Sequence, residues 1–368
     1  MLPLNSDEER YEYINFVDEE PKEEPEKQPD DETPNKKETI IGILLGLGYC
    51  TVFSAIPFYL LTIFFFPYTS ADLAVLSTIA QIITAVIVVG SMMLVSKRVV
   101  KKIAKGFNSK ALLSGITYAA AIYLSTIILN LLDSMIFGSV AETNANQSTI
   151  EELLLVAPLL GAIFTCIIAP IAEEVIFRYY LFKPLSKKNL ALAFIITALA
   201  FGGIHMMSSV SNYAGTGDLA ELLNDLRSLP AYVAAGAIFC IVYYKKGKLA
   251  HSILAHMIYN GVATALSLIS IANAPLNIVD VSTTSSSIEF SLKINEATVQ
   301  KIELYSKDDA GEITLEKTMT AEQTSYQDLR FDNLPSFVRY EIHITYSYEG
   351  LIEETTSVIS TSARTRRA

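Results

Sequence analysis

Apolar and polar positions along this chain follow two rhythms, and the change from one to the other falls just after Ile271. Before that point lie seven apolar segments: Ile40 to Phe66, Leu73 to Val95, Ala111 to Leu132, Leu153 to Phe182, Leu190 to Met207, Leu229 to Tyr244 and Leu249 to Ile271. A bilayer core of ~30 Å takes roughly 20 helical residues to cross, so each segment is expected to be a membrane span. The sixth is short, and the fourth is long enough to tilt or to emerge at one face. Beyond Ile271 apolar and polar residues alternate at Ile278 to Val281, Ser287 to Leu292, Val299 to Tyr305, Ile313 to Thr318, Leu329 to Phe331, Tyr340 to Tyr348 and Glu353 to Ile359. About seven short strands in some 85 residues predict a small antiparallel sandwich. The expected fold is an all-α polytopic membrane helix bundle over residues 40–272 followed by a small all-β sandwich over residues 277–362.

Charge is spread as unevenly as hydropathy. Residues 1–39 hold fourteen Asp/Glu against five Lys/Arg, so most of the formal net charge of −11 belongs to this tail. With several prolines and few large apolar residues the tail cannot bury enough surface to offset chain entropy, and it is expected to be disordered and cytoplasmic. No secretory signal is expected, because the first apolar run starts near Ile40 and is too long for one. Lysine and arginine fall in alternate connections: Lys36 and Lys37; Lys97, Arg98, Lys101, Lys102, Lys105 and Lys110; Lys183, Lys187 and Lys188; Lys245, Lys246 and Lys248. The other connections hold only Arg227. The positive-inside rule then puts the N-terminus in the cytoplasm and the C-terminus outside the cell membrane. The same rule accounts for the basic loop 97–110, so no nucleic-acid partner is expected.

Cys50, Cys166 and Cys240 all lie in apolar runs, without a CxxC pair, and are expected to be small buried hydrophobes. Gly42-Ile43-Leu44-Leu45-Gly46 has the spacing of close helix packing and is expected to serve that rather than a dimer seam. His251 is expected near a membrane interface, and His343 on a solvent-facing strand position.

Chemistry enters at Glu173-Glu174-Val175-Ile176-Phe177-Arg178, two carboxylates and a guanidinium in an otherwise apolar span where ionisable groups are expensive. On a helix Glu174 and Arg178 are four apart and can neutralise each other, as a structural ion pair or a substrate contact. Glu173 is turned about 100° away and needs partners from other helices. Phe201 and His205 share one helix face, as do His256 and Asn260. Counting from the flanking lysines puts Glu173, His205 and His256 roughly 12 to 26 Å deep, His205 deepest, so tilt or a fifth helix starting outside the bilayer is needed to level them. A carboxylate, two imidazoles and a carboxamide around one cavity can activate water. One version makes Glu173 the general base beside His205, with His256 and Asn260 supporting an oxyanion. The other places zinc or another divalent metal on Glu173, His205 and His256. The H-E-x-x-H zinc motif is absent, and His251 and His256, five apart, do not chelate together.

Glu173-Glu174-x-x-x-Arg178, then Phe201-x-x-x-His205, then His256-x-x-x-Asn260 on successive apolar spans resembles the CAAX-processing and bacteriocin-processing (CPBP, or Abi) family of intramembrane endopeptidases. The resemblance covers about residues 150–272. It implies hydrolysis of a peptide bond in a membrane-associated protein or peptide, with Glu173 as water activator, His205 as its partner, and His256 and Asn260 on the oxyanion. Glutamate-dependent and metalloprotease chemistry both stay open. Phe201 is expected to pack beside the site. In the polar region, Leu334 placed six before Tyr340 resembles the tyrosine corner of fibronectin type III domains, with Tyr340, Ile342, Ile344 and Tyr346 facing inward. An extracellular partner of that domain is a further expectation. Two other functions compete. A proton-coupled transporter would use the same side chains, but the sequence shows no paired broken helices in two related halves. A non-proteolytic scaffold or bacteriocin-immunity protein would bind a partner through the external domain.

Overall fold

The computed structural model of the chain describes residues 33–65, 70–96, 103, 106–139, 141, 143–308, 312–322, 324–349 and 354–365. The acidic stretch 1–32 and the basic residues Lys97, Arg98, Lys101, Lys102 and Lys105 lie outside the described residues. Helix α1 (Lys36–Thr51) opens on a capping box, in which Asn35 Oδ1 accepts from the Glu38 N–H and Glu38 Oε2 from the Asn35 N–H, both at 2.9 Å. It thus takes in residues 36–39, which composition grouped with the tail. Then follow α2 (Ala55–Phe65), α3 (Ser70–Val95), α4 (Ser109–Phe137), α5 (Ala145–Val156), α6 (Pro158–Ser186), α7 (Leu190–Ile204), α8 (Met207–Thr216), α9 (Leu219–Leu226), α10 (Leu229–Lys246) and α11 (Leu249–Asn273).

Five of these helical stretches are long and apolar enough to cross a membrane, and the total is seven when the bent pairs α1–α2 and α7–α8 each count as one span. That agrees with the expected count, but the sequence reading saw no broken helix, and two spans are broken, by 40° and 48°. The first break has a local cause. Pro57 has no N–H for the Phe53 carbonyl, and Thr84 Oγ1 of α3 approaches that oxygen at 3.5 Å instead. The fourth span also starts later than expected. Ala157 precedes Pro158, and the ring pushes it out of the helical region to φ −143°, ψ 66°, so Leu153 to Val156 close α5 while the span begins at Pro158. The connection Ser208 to Ser228, expected to be a plain loop, is mostly the helices α8 and α9.

Inside α6, wider π turns at Phe164–Ile168 and Val175–Phe182 flank the α turn Ala169–Glu174. Each π segment ends two residues before a proline, Pro170 or Pro184, which removes an i to i−4 hydrogen bond and loosens the ladder ahead of it. The second π segment is the hub of the bundle. Tyr180 donates its hydroxyl to the Met92 carbonyl at 2.7 Å, and Tyr179 and Ser96 hydroxyls meet at 2.9 Å, tying α6 to α3. Val175, Tyr180, Phe239 and Ile253 are fully buried there. Leu44, Val86, Leu113, Ile128, Leu199 and Leu266 are exposed on the outside, as a lipid-facing surface requires. The glycines of α1 do serve close packing within the chain: a Cβ at Gly42 would run into the Tyr180 ring, and one at Gly46 would sit 2.7 Å from Ile176 Cγ2.

The C-terminal region is a sandwich of β1 (Leu276–Thr283), β2 (Ile288–Ile294), β3 (Ala297–Lys307), β4 (Ile313–Met319), β5 (Tyr326–Phe331), β6 (Arg339–Glu349) and β7 (Glu354–Arg364). The sheets run β1-β2-β5 and β4-β3-β6-β7, every pairing antiparallel. Tyr340, Ile342, Ile344 and Tyr346 alternate into the core with Leu334, as expected. His343 takes the outer face, yet it is not simply solvated: its Nε2 is 3.0 Å from Glu341 and its ring tilts over Tyr305. Arg339 pairs with Asp218 of the α8–α9 connection at 3.4 Å. A cavity of about 530 Å³ separates β1 and β7 from Glu151, Glu152 and Leu155 of α5. The connections before the fourth span and after the fifth therefore lie at the end of the bundle that carries the sandwich, as an alternating seven-span path demands. At that end Arg227 is also paired, to Asp133 of α4 at 2.8 Å.

Packing of α1 on α6 makes a direct prediction. Gly42→Leu is expected to lower stability by about 1–3 kcal/mol through overpacking, while Gly90→Ala, whose added Cβ meets nothing within 4 Å, is expected to be neutral or better. Thermal unfolding of the two variants in detergent checks this, and an unchanged transition for Gly42→Leu contradicts the packing.

Candidate active site

Glu173 and Glu174 close the short α turn between the two π segments of α6, and consecutive positions on that turn point to different neighbours. Glu174 is fully buried. Arg178 Nε donates to Glu174 Oε2 at 3.0 Å, and His256 Nδ1 of α11 lies 3.2 Å from Glu174 Oε1. Both carboxylate oxygens are therefore engaged. The i,i+4 pairing read from the sequence is present, with His256 as an added third member.

Glu173 is placed differently. Its Oε2 is buried and has no hydrogen bond among the described residues. His256 Nε2 lies 3.9 Å from it, beyond hydrogen-bond distance. Its charge also reaches His205 on α7 and Tyr49 and Cys50 on α1. His256 thus sits between the two glutamates, one ring nitrogen toward each, with its face stacked on Phe239 at 4.5 Å. An ionised Glu174 beside Arg178 can only accept, so it holds the Nδ1 proton of His256 and turns Nε2 toward Glu173.

His205 stands at the break of the fifth span. In an unbroken helix its N–H would go to the Phe201 carbonyl; here it turns to the Gly202 carbonyl at 3.2 Å, and the Met206 N–H to Gly203 at 3.1 Å. The carbonyl so released is taken by the imidazole of His205, whose Nδ1 donates to Phe201 O at 2.8 Å. That bond sets the tautomer and leaves Nε2 with its lone pair. The ring stacks on Tyr232 of α10 at 4.4 Å and 20°.

Phe201 levels the site. Its ring is 4.9 Å from His205, 5.7 Å from His256 and 5.0 Å from the Arg178 guanidinium, so the depth difference expected for His205 is closed by contact across one phenyl ring. Arg178 is enclosed by Phe177, Phe201 and Phe239, a box that stabilises a cation by its ring faces. Its Nη1 reaches Cys240 Sγ at 3.6 Å. Cys240 is buried and the other two cysteines partly so, all three free.

Asn260 is one turn beyond His256 on α11, and its Nδ2 donates to the Thr165 carbonyl in the first π segment at 2.8 Å. Thr165 and Thr264 hydroxyls meet 3.1 Å apart beside it. His251 is buried and bonded through Nδ1 to Ser114 of α4 at 3.0 Å, where its helix packs along α4. Of the expected metal set, Glu173 Oε2 and His256 Nε2 lie 3.9 Å apart. Among the described residues no three His, Cys, Asp or Glu side chains form a group able to hold a metal ion. His205 Nδ1 and His256 Nδ1 are bonded to the Phe201 carbonyl and to Glu174, which leaves Nε2 of each ring open toward the site. Tyr232, Phe239 and Thr165 are residues the sequence reading missed. None belongs to a polar motif, and only proximity in the fold reveals them.

Residues 155–262 match the family described as type II CAAX prenyl endopeptidase Rce1-like. Among curated proteins, a putative membrane peptidase, YdiL, of Bacillus subtilis is 27% identical over 38% of this chain and 49% of its own length. The membrane-embedded CAAX protease MroQ of Staphylococcus aureus is 26% identical over 41% of this chain and 56% of its own. An uncharacterized protein of Mycoplasma capricolum is 30% identical over 31% and 29%. The chain thus spans less than two thirds of the length of each of these relatives. Over residues 155–262, the stretch that holds Glu173 through Asn260, the chain is Rce1-like, as the three motifs led one to expect.

Proposed function

We propose that this chain is an intramembrane endopeptidase that hydrolyses a peptide bond of a membrane-associated protein or peptide, with water activated by Glu173. The observation that carries the reading is the contrast between two adjacent carboxylates: Glu174 has both oxygens engaged, while Glu173 Oε2 is buried and lacks a hydrogen bond among the described residues. A buried free acceptor is what a general base presents to water. In the proposed cycle Glu173 takes a proton from water as the oxygen attacks the scissile carbonyl. The proton then passes to the amine as the C–N bond breaks. His205 Nε2 helps to hold the water. His256, with Nε2 toward Glu173, shares the proton and with the second amide hydrogen of Asn260 supports the oxyanion. Arg178 acts through Glu174 by keeping it charged. The Rce1-like match and the peptidase names of two relatives favour the same reaction class.

We further read the sandwich as fibronectin type III-like and extracytoplasmic, supported by its three-plus-four sheets, its buried Leu334 and Tyr340, and the loop charges. It is the part suited to an extracellular partner.

Glu173→Gln is expected to lower turnover of a membrane peptide in lipid by ~10² to 10⁴-fold with the fold intact. Glu174→Gln leaves the Arg178 charge buried without its partner and is expected to lower stability by about 3–5 kcal/mol as well. Full turnover by folded Glu173→Gln contradicts the assignment. Metal removal tests the chemistry: enzyme stripped by chelator is expected to keep its activity, and loss of activity restored by one equivalent of zinc would overturn the glutamate version. Orientation is checked with single cysteines replacing Lys188 or the exposed Ser286, in a chain lacking Cys50, Cys166 and Cys240. An impermeant thiol reagent on whole cells is expected to label position 286 and spare position 188.

A further inference from the structure

We propose that Tyr232 is a positioning residue that sets the plane of the His205 imidazole, and that α5 holds Tyr232 in place. The inference rests on the reading of His205 as the partner of Glu173. The Nδ1 bond to Phe201 O fixes one atom of the His205 ring at 2.8 Å but leaves the plane free to swing about that bond. The Tyr232 ring removes that freedom by lying flat against it, with centroids 4.4 Å apart and 20° between planes. Phe201 approaches His205 at 4.9 Å and 44°, a tilted contact that does not set a plane by itself.

Tyr232 is held in turn. It stands in the first turn of α10, and Asn146 Nδ2 of α5 donates to its hydroxyl at 3.3 Å. The start of α5 is tied down by Asp225, nearly fully buried on α9, whose Oδ2 accepts the Ala145 N–H at 3.1 Å. The same helix faces β1 and β7 across the cavity lined by Glu151 and Glu152. A chain of contacts therefore runs from the sandwich end of the bundle through α5 and Tyr232 to the imidazole. Groups that orient a catalytic side chain without touching substrate act on the geometry of attack, where a displacement of about 1 Å can cost ~10²-fold in rate.

The test combines turnover with NMR of histidine-labelled protein in lipid nanodiscs. The chain has four histidines, and His205 is identified by the resonance lost in His205→Gln. The wild type is expected to show His205 as a single Nδ1–H tautomer, its ring protons shifted upfield by the tyrosine face. Tyr232→Leu is expected to remove that shift while the Nδ1–H tautomer stays, with kcat and kcat/KM falling together by ~10²-fold. Tyr232→Phe keeps the stacking face but loses the tethered hydroxyl, and is expected to retain most of the turnover with a partial loss of the upfield shift. Asn146→Ala, which leaves the tyrosine ring but removes one of the two asparagine side chains, Asn144 and Asn146, that hold its hydroxyl, is expected to give a partial loss of the upfield shift like that of Tyr232→Phe, and it decides the matter if Tyr232→Leu does not fold. An unchanged His205 resonance in folded Tyr232→Leu, or in Asn146→Ala, overturns the proposal. Full turnover by His205→Gln would defeat the catalytic reading of His205 instead, while the resonance still reports whether Tyr232 holds the ring.

Discussion

Both charges of the Glu174–Arg178 pair are fully buried within the fourth span, where a lone charge would cost several kcal/mol. The pair is tolerable because each partner has more than the other: Glu174 has His256, and Arg178 has three aromatic faces and Cys240. Apart from Phe177, which neighbours Arg178 on its own span, those added partners come from the fifth, sixth and seventh spans. Satisfying one ion pair thus draws four helices to a common centre. It also sorts the two glutamates, since the one that completes the pair is used up and its neighbour is left with an unoccupied oxygen.

Irregular helix geometry makes this convergence possible. Backbone that departs from the α-helix inside a bilayer persists only where protein or a cavity re-satisfies it. Asn260 binds a carbonyl of the first π segment, Thr84 approaches the carbonyl orphaned by Pro57, and the His205 ring takes the carbonyl that its own N–H gave up. Two of these repairs are made by residues of the candidate site. The side chains that would do chemistry therefore also close the gaps in the helices that carry them, so replacing His205 or Asn260 disturbs backbone and site together.

The two regions of the chain meet at the Arg339–Asp218 pair and where β1 packs against α3 and α5, beside a cavity that α5 and the sandwich line together. Since α5 also carries Asn146, the sandwich end of the bundle has a short physical path to the fifth span.

Spans, strands and the Glu174–Arg178 pair were legible in the sequence because they depend on local periodicity: twenty apolar residues, alternation of period two, or four residues on one helix face. The glycine spacing of α1 was legible for the same reason. Where the fourth span begins was misread, since apolar continuity from Leu153 hides the break that Pro158 enforces. The bond of His251 to Ser114 was not legible, because burial depends on which helix lies opposite, and sequence distance from a lysine carries no information about that. The sequence by itself determined which groups are present and which pairs share a face. The tertiary structure alone decided that His256 bridges the two glutamates, that Asn260 binds Thr165, and that Tyr232 lies on His205. Those contacts join residues from different spans, and their geometry is set by helix breaks and packing rather than by any local repeat.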